Sequence, residues 1–155
     1  MWLGDIAVVL QNISAKTIVW GGVTLMYPET GDGTQAKPLA STTLITGRRP
    51  DHAYLNKDGT MRPRSVSEIP AAPLAVAPGE TWTLTVGTKL GDLQQPDLVK
   101  ATGHLSKVNI LLTSYYFTDD SVWLAGDYYM PESAPERYRK VTPKEFAAGQ
   151  PQAAN

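Results

Sequence analysis

The segment from Thr81 to Val86 constrains the fold of this chain more than any other. Trp82, Leu84 and Val86 alternate strictly with three threonines. Side chains of an extended chain point to opposite faces in turn, so this pattern predicts a β-strand with one buried face and one solvated face. In a helix the same apolar residues would not share one face. The chain therefore contains at least one half-buried strand of an antiparallel sheet.

Two more strands are predicted near the N-terminus. Residues 6–10 are apolar and 17–25 are rich in β-branched side chains, and the segment between them is polar. This arrangement predicts a hairpin. Within the second strand the apolar positions change parity across Gly21 and Gly22, which predicts a bulge at the two glycines.

The second half of the chain adds further strand patterns. Residues 72–76 form a short apolar run before the segment at 81–86, and 107–117 form a longer one in which Val108, Ile110 and Leu112 fall on one side. A polar turn over 118–121 leads into 122–124, and this spacing predicts a second hairpin.

From residue 27 to 73 the alternation is broken by prolines and glycines, and only 41–45 is strand-like. Connections of that length are uncommon inside compact domains and are usually functional or disordered. The tail differs, because Thr142 is followed by a proline and then by Glu145, which predicts a capped helix over 143–148.

Together these elements predict an all-β fold, an antiparallel β-sandwich with a long irregular insertion and a short C-terminal helix. The length of 155 residues suits one domain with one core, and 12 prolines and 13 glycines disfavour long helices. We expect the sandwich to occupy 1–130, including the irregular excursion at 27–73. Residues 131–155 are expected to form an extended tail that carries the helix.

Several function classes are disfavoured. A net charge of −1 gives no concentrated positive field for nucleic acid or an anionic membrane, and the absence of cysteine removes disulfides, thiolate zinc sites and cysteine nucleophiles. The chain has no apolar run of about 18 residues and no signal-peptide pattern at its start. His52 and His104 stand in no known catalytic spacing. We predict a non-enzymatic protein without cofactor, nucleic-acid partner or membrane insertion.

Aromatic residues near the second hairpin are the candidates for binding. Flat aromatic faces are enriched where proteins meet partners and can also stack against sugar rings. Core packing is the alternative for each of them, and Trp20 and Trp82 have inward parity in their strands. In the tail, two aromatic residues could dock onto a neighbour. The candidate set is Tyr115, Tyr116, Trp123, Tyr128, Tyr129, Tyr138 and Phe146.

Charge is unevenly distributed along the chain. Residues 48–64 carry five basic and two acidic side chains, whereas 117–136 carry five acidic ones and no lysine or arginine. We predict that the two patches complement each other within one molecule or between copies. The residues concerned are Arg48, Arg49, Arg62 and Arg64 on one side and Asp119, Asp120 and Asp127 on the other. For the three aspartates, turn chemistry is favoured over calcium binding, so no metal site is predicted.

Three short stretches, Asn12–Ile18, Leu74–Glu80 and Phe117–Trp123, carry a resemblance. Their patterns Asn-x-Ser-x-Lys-x-Ile, Pro-Gly-Glu and Phe-x-Asp-x-Ser-x-Trp resemble bacterial immunoglobulin-like β-sandwich domains of uncharacterised secreted or cell-envelope proteins. The resemblance implies that fold and an extracellular, periplasmic or cell-envelope setting, and leaves the cytoplasm open. Asn12 also begins a glycosylation sequon, a short match that recurs by chance.

These observations predict a non-catalytic protein-interaction or structural module, a subunit of a larger extracellular or envelope assembly. Its partner would be a protein, which includes other copies of itself. The alternative is a carbohydrate-binding module that uses the exposed aromatics of the 115–129 hairpin, with a glycan as ligand.

Overall fold

The computed structural model of this chain describes residues 5–34, 39–47, 54–55, 61–62, 74–87, 105–132 and 137–149. Over these residues the fold is mostly β, with antiparallel sheets and one short α-helix. The strands of the described residues are β1 (Ala7–Gln11), β2 (Ile18–Tyr27), β3 (Ala40–Gly47), β4 (Tyr54–Leu55), β5 (Met61–Arg62), β6 (Thr81–Thr85), β7 (Asn109–Phe117), β8 (Val122–Leu124), β9 (Asp127–Pro131) and β10 (Tyr138–Val141), and the helix is α1 (Pro143–Ala148).

Six of these strands form one sheet in the order β10–β9–β8–β7–β2–β3, while β1 pairs with β6 and β4 with β5. The predicted hairpin between the first two strands is therefore wrong. The chain beyond β1 stays bonded to the segment before β6, because the Asn12 amide donates to the Glu80 carbonyl at 2.8 Å and the Gly79 amide donates to the Asn12 carbonyl at 2.7 Å. The polar segment 12–17 consequently connects two sheets instead of closing a hairpin.

The chain divides into two compact units, the first from residues 1–10, 22–45 and 82–113 and the second from 11–21, 46–81 and 114–155. Strands β1, β2, β3, β6 and β7 contribute residues to both. Chain length predicts one core, whereas the buried apolar residues that the structure describes cluster within each unit.

In the first unit, β1 and β6 pack their inner faces against β2 and β3. The prediction for β6 is confirmed, since Leu84 and Val86 are buried while the threonines at 81, 83 and 85 are exposed. Trp82 is half-buried against the same cluster. The buried members of the cluster are Val8, Val23, Leu25, Tyr27, Leu44, Leu84, Val86 and Leu105.

Strand β2 changes its buried parity at the two glycines, as the sequence predicts: Ile18 and Trp20 are buried before them, and alternate residues from 23 onward are buried after them. Both glycines lie against neighbours that leave no room for a side chain. A Cβ at Gly21 would overlap the ring of Tyr115, and one at Gly22 would overlap the carbonyl oxygen of Leu44. Close approach therefore requires glycine at both positions.

In the second unit, β7, β8, β9 and β10 form an antiparallel meander. The hairpin around 118–121 is confirmed, with Asp120 in the left-handed region at φ 61°. Ala125 and Gly126, with φ of 47° and 99°, make the two-residue turn between β8 and β9, and positive φ at both positions is typical of a type I′ turn.

The tail beyond residue 131 contributes to this sheet, because β10 pairs with β9 along its whole length. The predicted helix over 143–148 is confirmed together with its cap. The Thr142 hydroxyl accepts from the Glu145 amide at 3.2 Å, and the Glu145 carboxylate accepts from the Thr142 amide at 2.8 Å. The tail is thus anchored at both of these elements.

Several predictions fall on other parts of the chain. The excursion at 27–73 contributes the last residue of β2, a 3-10 helix over Pro28–Thr30, β3 and the β4–β5 pair, whereas its residues 35–38, 48–53, 56–60 and 63–73 lie outside the described residues. So do His52, His104, Arg48, Arg49 and Arg64. No helix within the described ranges has the length and apolar character needed to cross a membrane.

Candidate functional site

The seven aromatic candidates all lie in the second unit, and the alternation of its strands divides them between two faces. Tyr116 and Tyr129 stand opposite Val122 in register and, with Trp20 and Tyr138, form the buried cluster of one face. Trp20 and Tyr116 meet edge to face at 5.3 Å between ring centroids. The exposure expected of Tyr116 and Tyr129 is not found, because their rings fill this core together with that of Tyr138.

The opposite face is covered by α1. Phe146 is buried there, with its ring centroid 5.0 Å from that of Phe117 and 4.7 Å from that of Tyr128. Tyr115 is also buried and lies 5.7 Å from Trp123. Of the seven candidates, only Trp123 and Tyr128, which face each other across β8 and β9, keep part of their surface exposed.

Burial also raises the pKa of two of these tyrosines. Loss of solvation raises the pKa of the Tyr115 phenol to about 12. Burial, followed by the nearby Asp120 carboxylate, raises the pKa of Tyr138 as well, and its hydroxyl donates to the Asp120 carbonyl at 3.1 Å. Both phenols act as packing groups.

A network of polar side chains is built on Asn12, whose side chain is buried with 2% of its surface exposed. Its amide nitrogen donates to the carbonyl oxygens of Lys16 at 2.7 Å and Val76 at 2.8 Å. Its oxygen accepts from the backbone amide of Ser14 at 3.0 Å and from the hydroxyl of Ser14 at 2.7 Å. Because the amide nitrogen is fully used and buried, the sequon at Asn12 cannot carry a glycan in the folded protein.

The network continues at Lys16, whose side chain is only 9% exposed. Its ammonium contacts the Asp119 carboxylate at 2.6 Å and the Ser121 hydroxyl at 3.0 Å, and lies 4.1 Å from the centre of the Phe146 ring. Burial by itself would raise the pKa of Asp119, but hydrogen bonds from Lys16 and Ser121 outweigh it and hold the pKa below its ordinary value.

A lysine, a serine and an aspartate in contact are residue types that also occur at nucleophilic sites. Ser121, however, is fully buried, and its hydroxyl already donates to Asp119 while accepting from Lys16. No reacting group can reach it in this conformation. The polar network instead connects the three stretches that carry the resemblance, at 12–18, 74–80 and 117–123, through hydrogen bonds and an ion pair.

The acidic patch is partly neutralised by lysines. Asp119 pairs with Lys16, and Asp127 contacts the Lys140 ammonium at 2.8 Å on the surface. Asp120 occupies the left-handed turn position, which favours the turn interpretation over calcium binding. Of the four arginines of the basic patch only Arg62, in β5, lies within the described residues, so complementarity between the patches stays a prediction.

The longest consecutive run of large exposed apolar residues among the described residues lies elsewhere, in the first unit. Ile110, Leu111 and Leu112 of β7 are 53%, 50% and 42% exposed, although they are consecutive and therefore point to both faces of the strand. The sequence pattern predicts an apolar side formed by 108, 110 and 112 but not its exposure. The available signal was Leu111, an apolar residue between Ile110 and Leu112 on the opposite face. Val9 and Ile45 are the other large exposed apolar residues of this unit.

Within the described part of the chain, no group of three or more histidine, cysteine, aspartate or glutamate residues is placed to hold a metal ion. Comparisons with protein-family models, with curated proteins and with solved structures find no match to this chain.

Proposed function

We propose that this chain is a non-catalytic protein-interaction module with an immunoglobulin-like β-sandwich fold, a subunit of an extracellular or cell-envelope assembly. The observation that carries the proposal is the exposed segment of β7, Ile110–Leu112. Three consecutive exposed apolar side chains on one strand are an unfavourable surface for a free monomer, because each Å² of apolar surface left in water forgoes about 25 cal/mol.

The sequence around this segment lacks the usual protection of such strands. Proteins commonly guard exposed strands with lysine, proline or a bulge. From residue 108 to 118 the chain has no charged residue, no proline and no glycine. A surface of this kind is suited to burial against another protein, where its apolar side chains leave water and its strand backbone can bond.

The polar network supports a structural role for the rest of the second unit. Asn12, Lys16 and Ser121 hold connecting segments in place through this network. Their polar side-chain atoms are engaged in its hydrogen bonds. Aromatic residues that could have formed a binding platform are largely buried. The fold thus acts as a scaffold, and the surface available for binding is the apolar segment.

A photocrosslinking experiment tests this function. The full chain is expressed in its native cells with p-benzoylphenylalanine at position 111 or, as a control, at Thr83, an exposed residue of β6. We expect a discrete crosslinked product from position 111 and none from position 83. Equal products at both positions, or none at 111, would overturn the proposal.

Carbohydrate binding is the second candidate, and one observation favours it. Trp123 and Tyr128 lie side by side across adjacent strands and both keep exposed surface. Titration of tryptophan fluorescence with polysaccharides, on the native chain and on Trp123→Phe, separates the two functions. A saturable change that is lost in the variant would support the glycan function, and a flat titration would remove it.

A further inference from the structure

We propose that the partner of the apolar segment is the same segment of a second copy, so that two β7 strands pair antiparallel across a twofold axis. This inference rests on the proposed function and names its partner. The pairing segment is Asn109–Thr113, the first part of β7, whose first four residues are exposed and whose fifth is half-buried.

Within the described part of the large sheet, one backbone edge of this segment has no registered partner strand. In the sheet order β7 lies between β8 and β2. Strand β8 covers only Ser114 to Tyr116, because Leu124 pairs with Ser114 and the chain then turns into β9. Among the strands that the structure describes, none is registered against Asn109–Thr113 on that side. Unpaired amides and carbonyls on such an edge form a template for an added strand.

The sequence of the segment suits pairing with itself. An antiparallel pair centred on Leu111 places Leu111 opposite Leu111 and Ile110 opposite Leu112. Asn109 then faces Thr113, a match between two polar side chains. Directly opposite side chains in antiparallel strands lie about 4.5–5.5 Å apart, so the three apolar pairs would be in direct contact.

Charge permits this arrangement. The five paired residues are uncharged, and the nearest charged residue on the chain, Lys107, lies outside the pair. Two copies therefore bring no like charges together within the paired strands, and their net charge of −1 each gives little long-range repulsion. A strand from any other protein would also have to be uncharged and apolar over this length. A second copy of the chain already has such a strand.

The symmetry also closes the assembly. A twofold contact uses the same surface on both molecules, so the edge of each β7 strand is paired with the edge of the other. The expected product is a dimer and not a fibre, since β7 is already bounded by β2 on its other side.

Substitution at Leu111 tests the register, because this residue faces itself across the axis. The molar mass of the full chain is measured by light scattering during size-exclusion chromatography over a concentration series. We expect a native mass near twice 16.8 kDa. Leu111→Lys alone and Leu111→Glu alone should each weaken the dimer at least about tenfold, because like charges across a pair cost several kcal/mol.

Mixing the two variants should restore the dimer, since the lysine then faces the glutamate. Thr83→Lys is the matched control, a charge added to an exposed strand position of the same unit, and should leave the dimer unchanged. Circular dichroism verifies that each variant is folded. A monomeric native chain, or variants that stay dimeric, would overturn the proposal.

Cysteine crosslinking provides a second measurement that does not depend on weakening the dimer. The chain contains no cysteine, so Leu111→Cys should form an intermolecular disulfide readily, whereas Leu112→Cys, which faces residue 110, should not. Equal crosslinking of both would contradict the register. If the native chain is monomeric but position 111 photocrosslinks to another protein, self-pairing fails while the proposed interaction function stands.

Discussion

Replacement of Asn12 by alanine should destabilise the fold strongly, although the change removes only one polar side chain. The Asn12 side chain makes four hydrogen bonds in a buried position, two to backbone carbonyls and two from Ser14. A typical net contribution is about 0.5–1.5 kcal/mol for each such bond.

Four such bonds would sum to about 2–6 kcal/mol, and the loss for Asn12 should lie in the lower half of that range because two of its partners keep other bonds. The Val76 carbonyl still accepts from the Ile18 amide at 3.0 Å, and the Lys16 carbonyl from the Ser14 hydroxyl at 3.0 Å. We expect Asn12→Ala to lower the free energy of unfolding by about 2–4 kcal/mol. Asn12→Asp should cost at least as much, because a carboxylate would face two carbonyl oxygens and donate to neither.

Urea unfolding followed by tryptophan fluorescence measures the loss, with the slope against urea as a check that the unfolded surface is unchanged. Ile13→Ala is the matched control, since Ile13 is the adjacent residue and is 92% exposed. Its effect should stay within about 0.5 kcal/mol. If Asn12→Ala and Ile13→Ala shift the midpoint equally, the network does not hold the second unit together.

Four further substitutions test other contacts by the same assay. Gly22→Ala should cost about 1–3 kcal/mol, because the new Cβ overlaps the Leu44 carbonyl; no loss would contradict that close approach. Lys16→Met removes the partner of Asp119 and should lower the free energy of unfolding by about 1–2 kcal/mol at pH 7. The loss stays this small because Asp119 is partly exposed and water can solvate its charge. The pKa of Asp119 is lower in the folded state than in the unfolded chain, where it is about 3.9. The stabilisation by this ion pair is therefore present above about pH 3.9 and is lost as the pH falls through the folded-state pKa, so the difference in stability between native chain and variant should shrink in acid. Phe146→Ala should cost about 3–5 kcal/mol by leaving a cavity beside Phe117 and Tyr128, and Thr142→Ala only about 1 kcal/mol; equal effects would mean that the helix is held by its cap and not by Phe146.

Local patterns in the sequence predicted local structure well. Alternation over 81–86 predicted β6, the polar turn at 118–121 predicted its hairpin, and the capping signature at Thr142 predicted α1 to the residue. Each of these depends on contacts between residues that are close in sequence, where backbone geometry and side-chain chemistry act directly. The parity change at Gly21 and Gly22 belongs to the same class.

Pairing partners and exposure could not be predicted in this way. The sequence favoured a hairpin between β1 and β2, whereas hydrogen bonds from Asn12 to a segment more than 60 residues away direct the chain into a second sheet. Strands β9 and β10 were missed, although Gly126 between two strand-like segments was an available signal. Tyr116 and Ile110 show the same limit for exposure, since both are apolar residues in one strand and only the first is buried.

The amino-acid sequence by itself determined that this chain forms strands, where several of them turn, and where its helix begins and ends, because those outcomes depend on residues a few positions apart. Only the tertiary structure decided which strands pair, that Asn12, Lys16 and Asp119 meet, and that the apolar run on β7 stays exposed. Those outcomes depend on which distant segment occupies each face and edge of a strand, and alternation along one strand carries no information about what lies opposite it.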